Sequence, residues 1–486
     1  MEKKYRFRYA PSPTGYLHVG NARTALFNFL LAKHFNGSFI IRIENTDIAR
    51  NNPVFIDKQY EMLSWLNITF DESSINEGAF GPYEQLKRLK IYQKYVQILL
   101  DQKKAYYCFC TREEIKAQKE ILLLKNQRNF KYDQRCLKLD SNLVLKYKKT
   151  KPFVIRFKVN NDKNQYQFND LIRGEVKFNS NDVGDFIILK NNSIPTYNFA
   201  VVIDDHLMEI SHVLRGEEHI SNTFSQILLY EALNFEIPFF GHFSIIVNQE
   251  RKKLSKRDKN NVSNLHIFKQ KGYLPQAVLN FLALIGFSPK TKNDQEIFSL
   301  QELIKIINFD HFNKAPGMFD IKKLNWINKI YLKKLDSNSL YQFLIPFLKS
   351  KYDISEYSKF EIETIFLLFQ EELEFGEQII KLTKLFFVFD DLEIKNIEFF
   401  KNQNFSVLLI KKFLIEIKKI DQFSQSNLSK LLKNLRGEFK LNIKNLYLPL
   451  RIATTLSTHG PSLIQTWLLL KKKRLIANLN LFLKNY

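Results

Sequence analysis

The sequence predicts an α/β domain interrupted by an inserted α+β segment and followed by an all-α half. Three observations carry that prediction. The hydrophobic period changes from strand to helix to strand within the first 43 residues; short strands and a charged helix replace it between about residues 106 and 190; and from about residue 321 nearly every segment repeats at helical spacing. With 486 residues the chain suffices for about three domains, each with an ample core.

Arg6-Phe7-Arg8-Tyr9 alternates charged and aromatic residues, which suits a strand, whereas Ala22, Ala25, Leu26, Phe29 and Leu30 recur at helical spacing up to His34 and Phe35. The stretch between them, Pro11-Ser12-Pro13-Thr14-Gly15-Tyr16-Leu17-His18-Val19-Gly20-Asn21, is therefore a strand-to-helix loop, held in a non-repetitive shape by two prolines and two glycines. Asn21 reads as the N-cap of the helix. A helix start presents unpaired N–H groups and a positive dipole end, so a phosphate-bearing ligand is the natural partner. Phe39 to Ile43 supplies a second strand and completes a βαβ unit, with Glu44 and Asp47 at the edge where open parallel sheets bind ligands. Gly15 and Gly20 have the spacing of a Walker A loop, but Asn21 stands where its lysine must be, and no G-x-G-x-x-G is present. The lysine has to come from elsewhere.

Pro53 to Trp65 reads as an amphipathic helix, and Pro82 opens another that ends near Asp101. From Tyr106 to about Lys190 a cysteine pair, a charged helical stretch (Arg112 to Arg128) and strand-like runs such as Phe153 to Val159 mark the inserted segment. Phe186 to Leu189 and Thr196 to Asp205 read as buried strands of the first sheet resuming, His212 to Glu217 continues it, and Thr223 to Leu233 is a helix. The strand Phe243 to Val247 precedes Arg251-Lys252-Lys253-Leu254-Ser255-Lys256-Arg257-Asp258. Alone, such a cluster is most often a solvated loop. Its place after the resumed sheet lets it bring the missing lysine to the first loop. In the helical half, Ile362, Phe366, Phe369 and Leu373 mark one seam and Leu408 to Ile420 another, with basic clusters at Lys411-Lys412, Lys430 to Lys440 and Lys471 to Arg474. The boundaries that follow are 1–105 and 191–240 for the α/β domain, 106–190 for the insert, 241–325 for a segment carrying the basic cluster, and 326–486 for the helices.

Seventy-three Lys plus Arg against 50 Asp plus Glu give a net charge of +23, which favours a polyanionic partner such as nucleic acid. A compositional drift toward lysine accounts for part of it. No apolar run approaches the roughly 18 residues of a membrane span, and Met1 to Lys4 lead into the first strand without a signal-like core, so a cytoplasmic protein is expected. Three cysteines, Cys108, Cys110 and Cys136, argue against a disulfide framework and for a reducing compartment.

Taken in order, these motifs resemble the class I aminoacyl-tRNA synthetases, specifically the bacterial glutamyl-tRNA synthetases. His18-Val19-Gly20-Asn21 looks like their HIGH-type signature within the longer lead-in from Arg8, and Lys253-Leu254-Ser255-Lys256-Arg257 looks like their KMSKS loop. Ile43 to Asp47, Pro195 to Phe199, Val201 to His206 and Leu214 to Glu218 match further blocks in the expected order. The resemblance implies a Rossmann-type catalytic domain, an inserted acceptor-binding domain, a stem-contact segment and an all-α anticodon-binding half. It implies that glutamate is activated with ATP and Mg2+ to an adenylate, then moved to the terminal adenosine of tRNA(Glu), by a monomer. By resemblance Thr14, Gly15, His18, Gly20, Asn21, Ser255 and Lys256 would bind ATP, with His18 and Lys256 stabilising charge on the transferring and leaving phosphates. Glutamate carries two carboxylates and one ammonium. Arg8 would hold the side-chain carboxylate, Arg215 the α-carboxylate and Glu44 the ammonium, with Ala10, Ser12 and Tyr197 as walls.

The sequence departs from the family in two places. Asn45 stands where an Asp is usual. Some bacterial members bind zinc through C-x-C and a later C-x-H, but here Cys136-Leu137-Lys138 puts lysine in the histidine position. Structural zinc wants four ligands and a protonated lysine is not one. Either Asp133 or Asp140 supplies the fourth, or three small buried thiols remain with no metal, the reading the missing ligand favours. A glutaminyl-tRNA synthetase is disfavoured by the helical carboxyl half, and a shortened relative that glutamylates a tRNA base by the chain length. A form that also charges tRNA(Gln), and a non-catalytic tRNA-binding homologue, stay open.

Overall fold

The computed structural model describes residues 5–124, 130–160, 165–179, 183–254, 263–290, 295–388 and 404–485. The chain divides into two compact units, one formed by 1–269 with 275–321 and the other by 270–274 with 322–486.

The first unit starts with β1 (Arg6–Tyr9), α1 (Val19–His34) and β2 (Ser38–Ile41), a βαβ unit whose strands pair in parallel with Phe7 opposite Phe39 and Arg8 opposite Ile40. Helices α2 (Val54–Trp65) and α3 (Leu89–Asp101) follow, α3 entered through a short 3-10 turn at Gln85–Arg88. Next come β3 (Ala105–Cys108), α4 (Arg112–Leu124), α5 (Ser141–Thr150), β4 (Val154–Phe157), β5 (Gln165–Asp170), β6 (Gly174–Asn179) and β7 (Phe186–Leu189). The unit continues with α6 (Tyr197–Leu207), β8 (His212–Gly216), α7 (Ile220–Leu233), β9 (Phe239–Phe243), β10 (Ile246–Val247), α8 (Leu265–Lys271, whose last two residues belong to the second unit), α9 (Pro275–Leu284), α10 (Leu300–Ile306) and β11 (Gly317–Met318).

The large sheet has the order β2-β1-β8-β9-β5-β6, parallel except for the β5–β6 hairpin at its edge. Because β2 lies on one side of β1 and β8 on the other, the loop after β1 opens where the strand order reverses, the crevice in which such sheets hold ligands. Phe7 and Phe39 are buried on the side of α1, where the Phe39 ring meets Phe29 at 6.0 Å, while Ile40 and Val213 are buried on the opposite face with Phe199 and Phe224.

Three sequence expectations are corrected. Thr196 to Asp205 is not a strand: α6 covers it, and Phe199 through Asp205 are buried without a break. A helix buried all round shows no polar stripe, so its 3.6-residue period is hidden, and an apolar run this long suits a helix better than a strand. Phe186 to Leu189 forms a strand, but in a separate antiparallel sheet of order β3-β4-β7. The segment between β3 and α6 thus contributes to two sheets, since β5 joins the large one with Asp170 opposite Phe240. Finally, α1 begins before Asn21, and its N-cap is His18.

The second unit is helical: α11 (Ile321–Lys333), whose first residue belongs to the first unit, α12 (Ser337–Lys349), α13 (Lys359–Phe369), α14 (Gln378–Leu382), α15 (Lys384–Phe387), α16 (Asn404–Lys419), α17 (Gln425–Glu438), α18 (Ile443–Thr455) and α19 (Leu463–Asn485). Ile362, Phe366, Phe369 and Leu373 are buried, as their spacing predicts, and so are Leu409, Ile410, Phe413 and Ile417 of the second seam. Trp467 is fully buried and donates to Thr454 Oγ1 at 2.9 Å, which satisfies the one polar atom of the largest core side chain.

Candidate active site

The loop between β1 and α1 is fixed by backbone bonds on both sides. Pro11 O accepts from Glu44 N at 2.9 Å and Pro13 O from Asn52 N at 3.0 Å. On the other flank Val19 N donates to Ser263 O at 2.8 Å and Leu265 N to Leu17 O at 3.1 Å. Leu17 and Val19 are core residues, and Tyr16 stacks on His266 at 5.3 Å, so the alternation of the signature divides the loop into residues that anchor and residues that face out. Gly20 N donates to His18 Nδ1 at 3.1 Å, which places the proton of the neutral ring on Nε2. A Cβ added at Gly20 would meet only His18 Nδ1, at 3.5 Å. Glycine is therefore not demanded by packing, and what it leaves is open space over the start of a 16-residue helix.

Arg8, Ala10, Ser12, Thr14, His18, Gly20, Asn21, Glu44, Tyr197 and Arg215 all line one cavity of about 290 Å³. Lys253 and Leu254 line it as well, with Leu254 N bonded to Ile246 O at 2.9 Å. Gly15 is not among the lining residues; its carbonyl accepts from Gln59 Nε2 at 3.2 Å. Ser255, Lys256 and Arg257 lie outside the described residues. Of the residues flanking that stretch, Lys253 and Leu254 line the cavity, and Ser263 is bonded to the signature loop through Val19 N.

Sequence reasoning missed what holds the charged lining in place. Arg8 is 3% exposed and turns Nε and Nη2 toward Asp205, at 3.2 and 3.4 Å. Its Nη1 has no protein partner among the described residues and is left for the cavity. Arg42 Nη1 also reaches Asp205, at 2.6 Å, while its Nη2 donates to Glu44 Oε1 at 2.9 Å. Behind them Asp204 takes Arg88 Nε at 2.7 Å, Gln85 Nε2 at 2.9 Å and the Tyr92 hydroxyl at 2.9 Å. Three cations and three carboxylates are thus buried together, each paired, the only way such charges are retained in a core. Burial pushes the Asp205 carboxyl up, but Arg42 and Arg8 outweigh it and hold it below the ordinary value. For Glu44 burial wins against Arg42, and its carboxyl is raised. The Asp204-Asp205 pair was legible as residues; that Asp205 is the shared counter-ion of Arg8 and Arg42 was not.

Arg215, on β8, is 5% exposed and nearly saturated: Nε donates to His242 Nε2 at 3.2 Å, Nη2 to Thr223 Oγ1 at 2.7 Å and Gln226 Oε1 at 2.8 Å, and Nη1 to the Tyr197 hydroxyl at 3.3 Å. Arg8, Arg215 and Glu44 therefore meet in one cavity beside a helix start, with Arg23, Lys253 and Glu218 also on its wall.

Away from this cavity, the sulfur atoms of Cys108, Cys110 and Cys136 lie within 4.8 Å of one another. The Tyr132 hydroxyl is 3.1 Å from Cys110 Sγ and 3.5 Å from Cys108 Sγ. Tetrahedral zinc with Zn–S bonds of about 2.3 Å needs sulfurs just under about 4 Å apart, so three thiols and a phenol oxygen at this spacing fit it. Neither aspartate suggested by the sequence is there: Asp133 bonds Arg135, and Asp140 caps α5. Hydrogen bonds from Cys136, then Tyr132 and Arg156, outweigh burial and bring the Cys108 thiol down to about 4, which makes it a thiolate at neutral pH.

Residues 4–326 match the family model for tRNA synthetases class I (E and Q), catalytic domain, and residues 339–483 match an anticodon binding domain. The chain is 44% identical over 480 residues to the glutamate–tRNA ligase of Mycoplasma capricolum, covering 98% of this chain and 99% of that protein. It is 43% identical over 491 residues to that of Geobacillus stearothermophilus, covering 99% and 98%. The crystal structure of a glutamate tRNA ligase from Elizabethkingia meningosepticum in complex with its amino acid superposes with a TM-score of 0.89 at 31% identity, over 99% of both chains. With a cavity of this make-up at the switch point of its sheet and relatives matched over their whole length, the chain belongs to the class I tRNA synthetases of the E and Q group, in the glutamate–tRNA ligase family.

Proposed function

We propose that the chain carries out the glutamate–tRNA ligase reaction in this cavity, and that the meeting of Arg8, Arg215 and Glu44 beside the start of α1 is the observation that carries the reading. The side-chain carboxylate of glutamate bonds Arg8 Nη1, its α-carboxylate the remaining Nη1 donor of Arg215, and its ammonium Glu44. Arg8, Arg215 and Glu44 together match the two carboxylates and one ammonium of glutamate, and glutamine, which lacks the second charge, leaves the buried Arg8 without a counter-ion from the substrate.

ATP enters as its magnesium complex, over Thr14, Gly20 and Asn21. An α-carboxylate oxygen attacks the α-phosphorus in line, the bond to the bridging oxygen of the β-phosphate breaks, and pyrophosphate leaves. The His18 Nε2–H donates to the charge that develops on the phosphate, and the lysine of the basic cluster, Lys256, neutralises the departing pyrophosphate. A ribose hydroxyl of the terminal adenosine of tRNA then attacks the acyl carbon and AMP leaves. No covalent bond to the enzyme is needed; positioning and electrostatics supply the rate. The tRNA is the polyanion that the net charge of +23 calls for, and in the helical unit Lys381, Lys384, Arg451 and His459 surround a second cavity of about 540 Å³. A cytoplasmic monomer suits this reading.

Cys108, Cys110, Cys136 and Tyr132 would hold a zinc ion, which would tie β3 to the turn at 132–136 and take no part in the chemistry. Pyrophosphate exchange measured with glutamate, with and without tRNA(Glu), tests the function. Exchange dependent on glutamate is expected; none under either condition would leave only a tRNA-binding protein.

A further inference from the structure

Asp170, His242 and Arg215 stand on three neighbouring strands, β5, β9 and β8, with Arg215 directly opposite His242 in register. Asp170 and His242 are buried as fully as Arg215. Asp170 Oδ1 accepts three backbone N–H groups, from Ile172 at 3.0 Å, Arg173 at 2.8 Å and His242 at 3.2 Å. Its other oxygen, Oδ2, lies 2.5 Å from His242 Nδ1. A carboxylate only accepts, so Nδ1 carries the ring proton and Nε2 is a lone pair. That lone pair accepts from Arg215 Nε at 3.2 Å, with the Thr223 hydroxyl 3.0 Å away. Burial, with Arg215 and Arg173 nearby, holds the imidazole below its ordinary value and outweighs Asp170, so the ring is neutral.

We propose that Asp170 and His242 are positioning residues for amino-acid binding: the carboxylate selects the histidine tautomer, the tautomer supplies the acceptor that sets the plane of Arg215, and the one remaining Arg215 donor is thereby aimed at the substrate α-carboxylate. This rests on Arg215 holding that carboxylate. A guanidinium is planar, so contacts at Nε, Nη2 and one Nη1 hydrogen fix the direction of the last. The opposite tautomer would set Nε2–H against Nε–H, donor against donor, which cannot persist at 3.2 Å.

Asp170→Asn tests the relay. Because Oδ1 is committed to three backbone donors, the amide nitrogen must take the Oδ2 place, where it donates to Nδ1 and forces the proton to Nε2. Nitrogen-15 NMR of labelled histidine, without substrates, is expected to show His242 protonated at Nδ1 in the wild type and at Nε2 in the variant. Exchange kinetics are expected to show the glutamate KM raised at least about tenfold and the ATP KM within about twofold. A wild-type Nε2–H tautomer, an unmoved glutamate KM after the tautomer has switched, or equal rises in both KM values would overturn the proposal. If D170N does not fold, His242→Leu and His242→Gln decide: the leucine, without an acceptor, is expected to raise the glutamate KM about tenfold more than the glutamine, and equal values overturn the relay. Absence of glutamate-dependent exchange in the wild type would instead overturn the function beneath it, while the tautomer still decides the relay.

Discussion

Replacing Arg8 with alanine separates amino-acid binding from nucleotide binding. The Arg8 guanidinium is buried, with one edge on Asp205 at 3.2 Å and Nη1 turned to the cavity. A glutamate bound to the variant would bury its side-chain carboxylate without a cation. Truncating one partner of a buried hydrogen-bonded charge pair costs about 2–5 kcal/mol, and each 1.36 kcal/mol is roughly tenfold, so kcat/KM for glutamate is expected to fall about 30- to 5,000-fold. Among the described residues the side-chain hydrogen bonds of Arg8 go to Asp205 and none to the loop over α1 that would receive ATP, so the ATP KM is expected to stay within about twofold. Stability falls less than for an orphaned ion, by about 1–3 kcal/mol, because Asp205 keeps Arg42 at 2.6 Å. Adding Asp205→Asn to the variant is expected to recover part of that stability and none of the glutamate affinity. Pyrophosphate exchange with each substrate varied in turn, together with urea unfolding, measures all of this. Equal losses for glutamate and ATP, or an undiminished preference for glutamate over glutamine, would refute the assignment of Arg8.

Gly20→Ala is expected to raise the ATP KM while leaving the protein as stable or up to about 1 kcal/mol more stable, because its Cβ meets only ordinary contact within the protein and alanine favours the helix; a destabilised variant with an unchanged ATP KM would contradict it. Metal analysis is expected to find one zinc per chain, lost in Cys136→Ser and weakened in Tyr132→Phe, with a chelator lowering Tm; a wild-type stoichiometry near zero would remove the metal. Burial, and then Arg215, bring the His219 imidazole from 6.5 down to about 4. The unfolded chain therefore binds a proton that the folded chain refuses between those values, and stability is expected to fall as pH drops from 6.5 toward 4, by at most about 3 kcal/mol and less where water reaches the ring. His219→Gln is expected to flatten that part of the pH profile of urea unfolding, and an unchanged profile would contradict the burial argument.

The part of the site that was legible in sequence is the part built from local pattern. The switch of period between Phe7 and Phe39, with prolines and glycines between, places the loop, the helix and the cavity mouth correctly. Reading the helix start three residues late followed from treating Asn21 as the obvious cap, when a histidine nitrogen at position 18 accepts a first-turn backbone N–H, that of Gly20. The strand assigned to Thr196 to Asp205 failed because a helix covered on every side has no polar face to betray it. Partners of buried charge were illegible for a different reason. Asp205 is separated from Arg8 and Arg42 by most of the first unit, and nothing in the spacing of the three tells which arginine it serves. Tyr132 was passed over because a phenol is not an ordinary zinc ligand; only its position among three sulfurs makes it a candidate.

The hairpin of β5 and β6 comes from the segment between β3 and α6, yet β5 is hydrogen-bonded into the large sheet and sets Asp170 against His242. That segment is consequently not a detachable module. A chimera that exchanges everything between β3 and α6 for the corresponding piece of a relative replaces an inner member of the large sheet along with the smaller one, and must bring its own match for His242. Crossovers placed on either side of the hairpin, leaving Gln165 to Asn179 native, keep the two strands with the partner they were folded against. In such recombinants the compatibility of the pieces is decided in the interior, at the Asp170–His242 contact and at the aromatic pairs Tyr166–Phe224, Phe168–Phe240 and Phe178–Phe224, well away from the surfaces at which domains are usually cut.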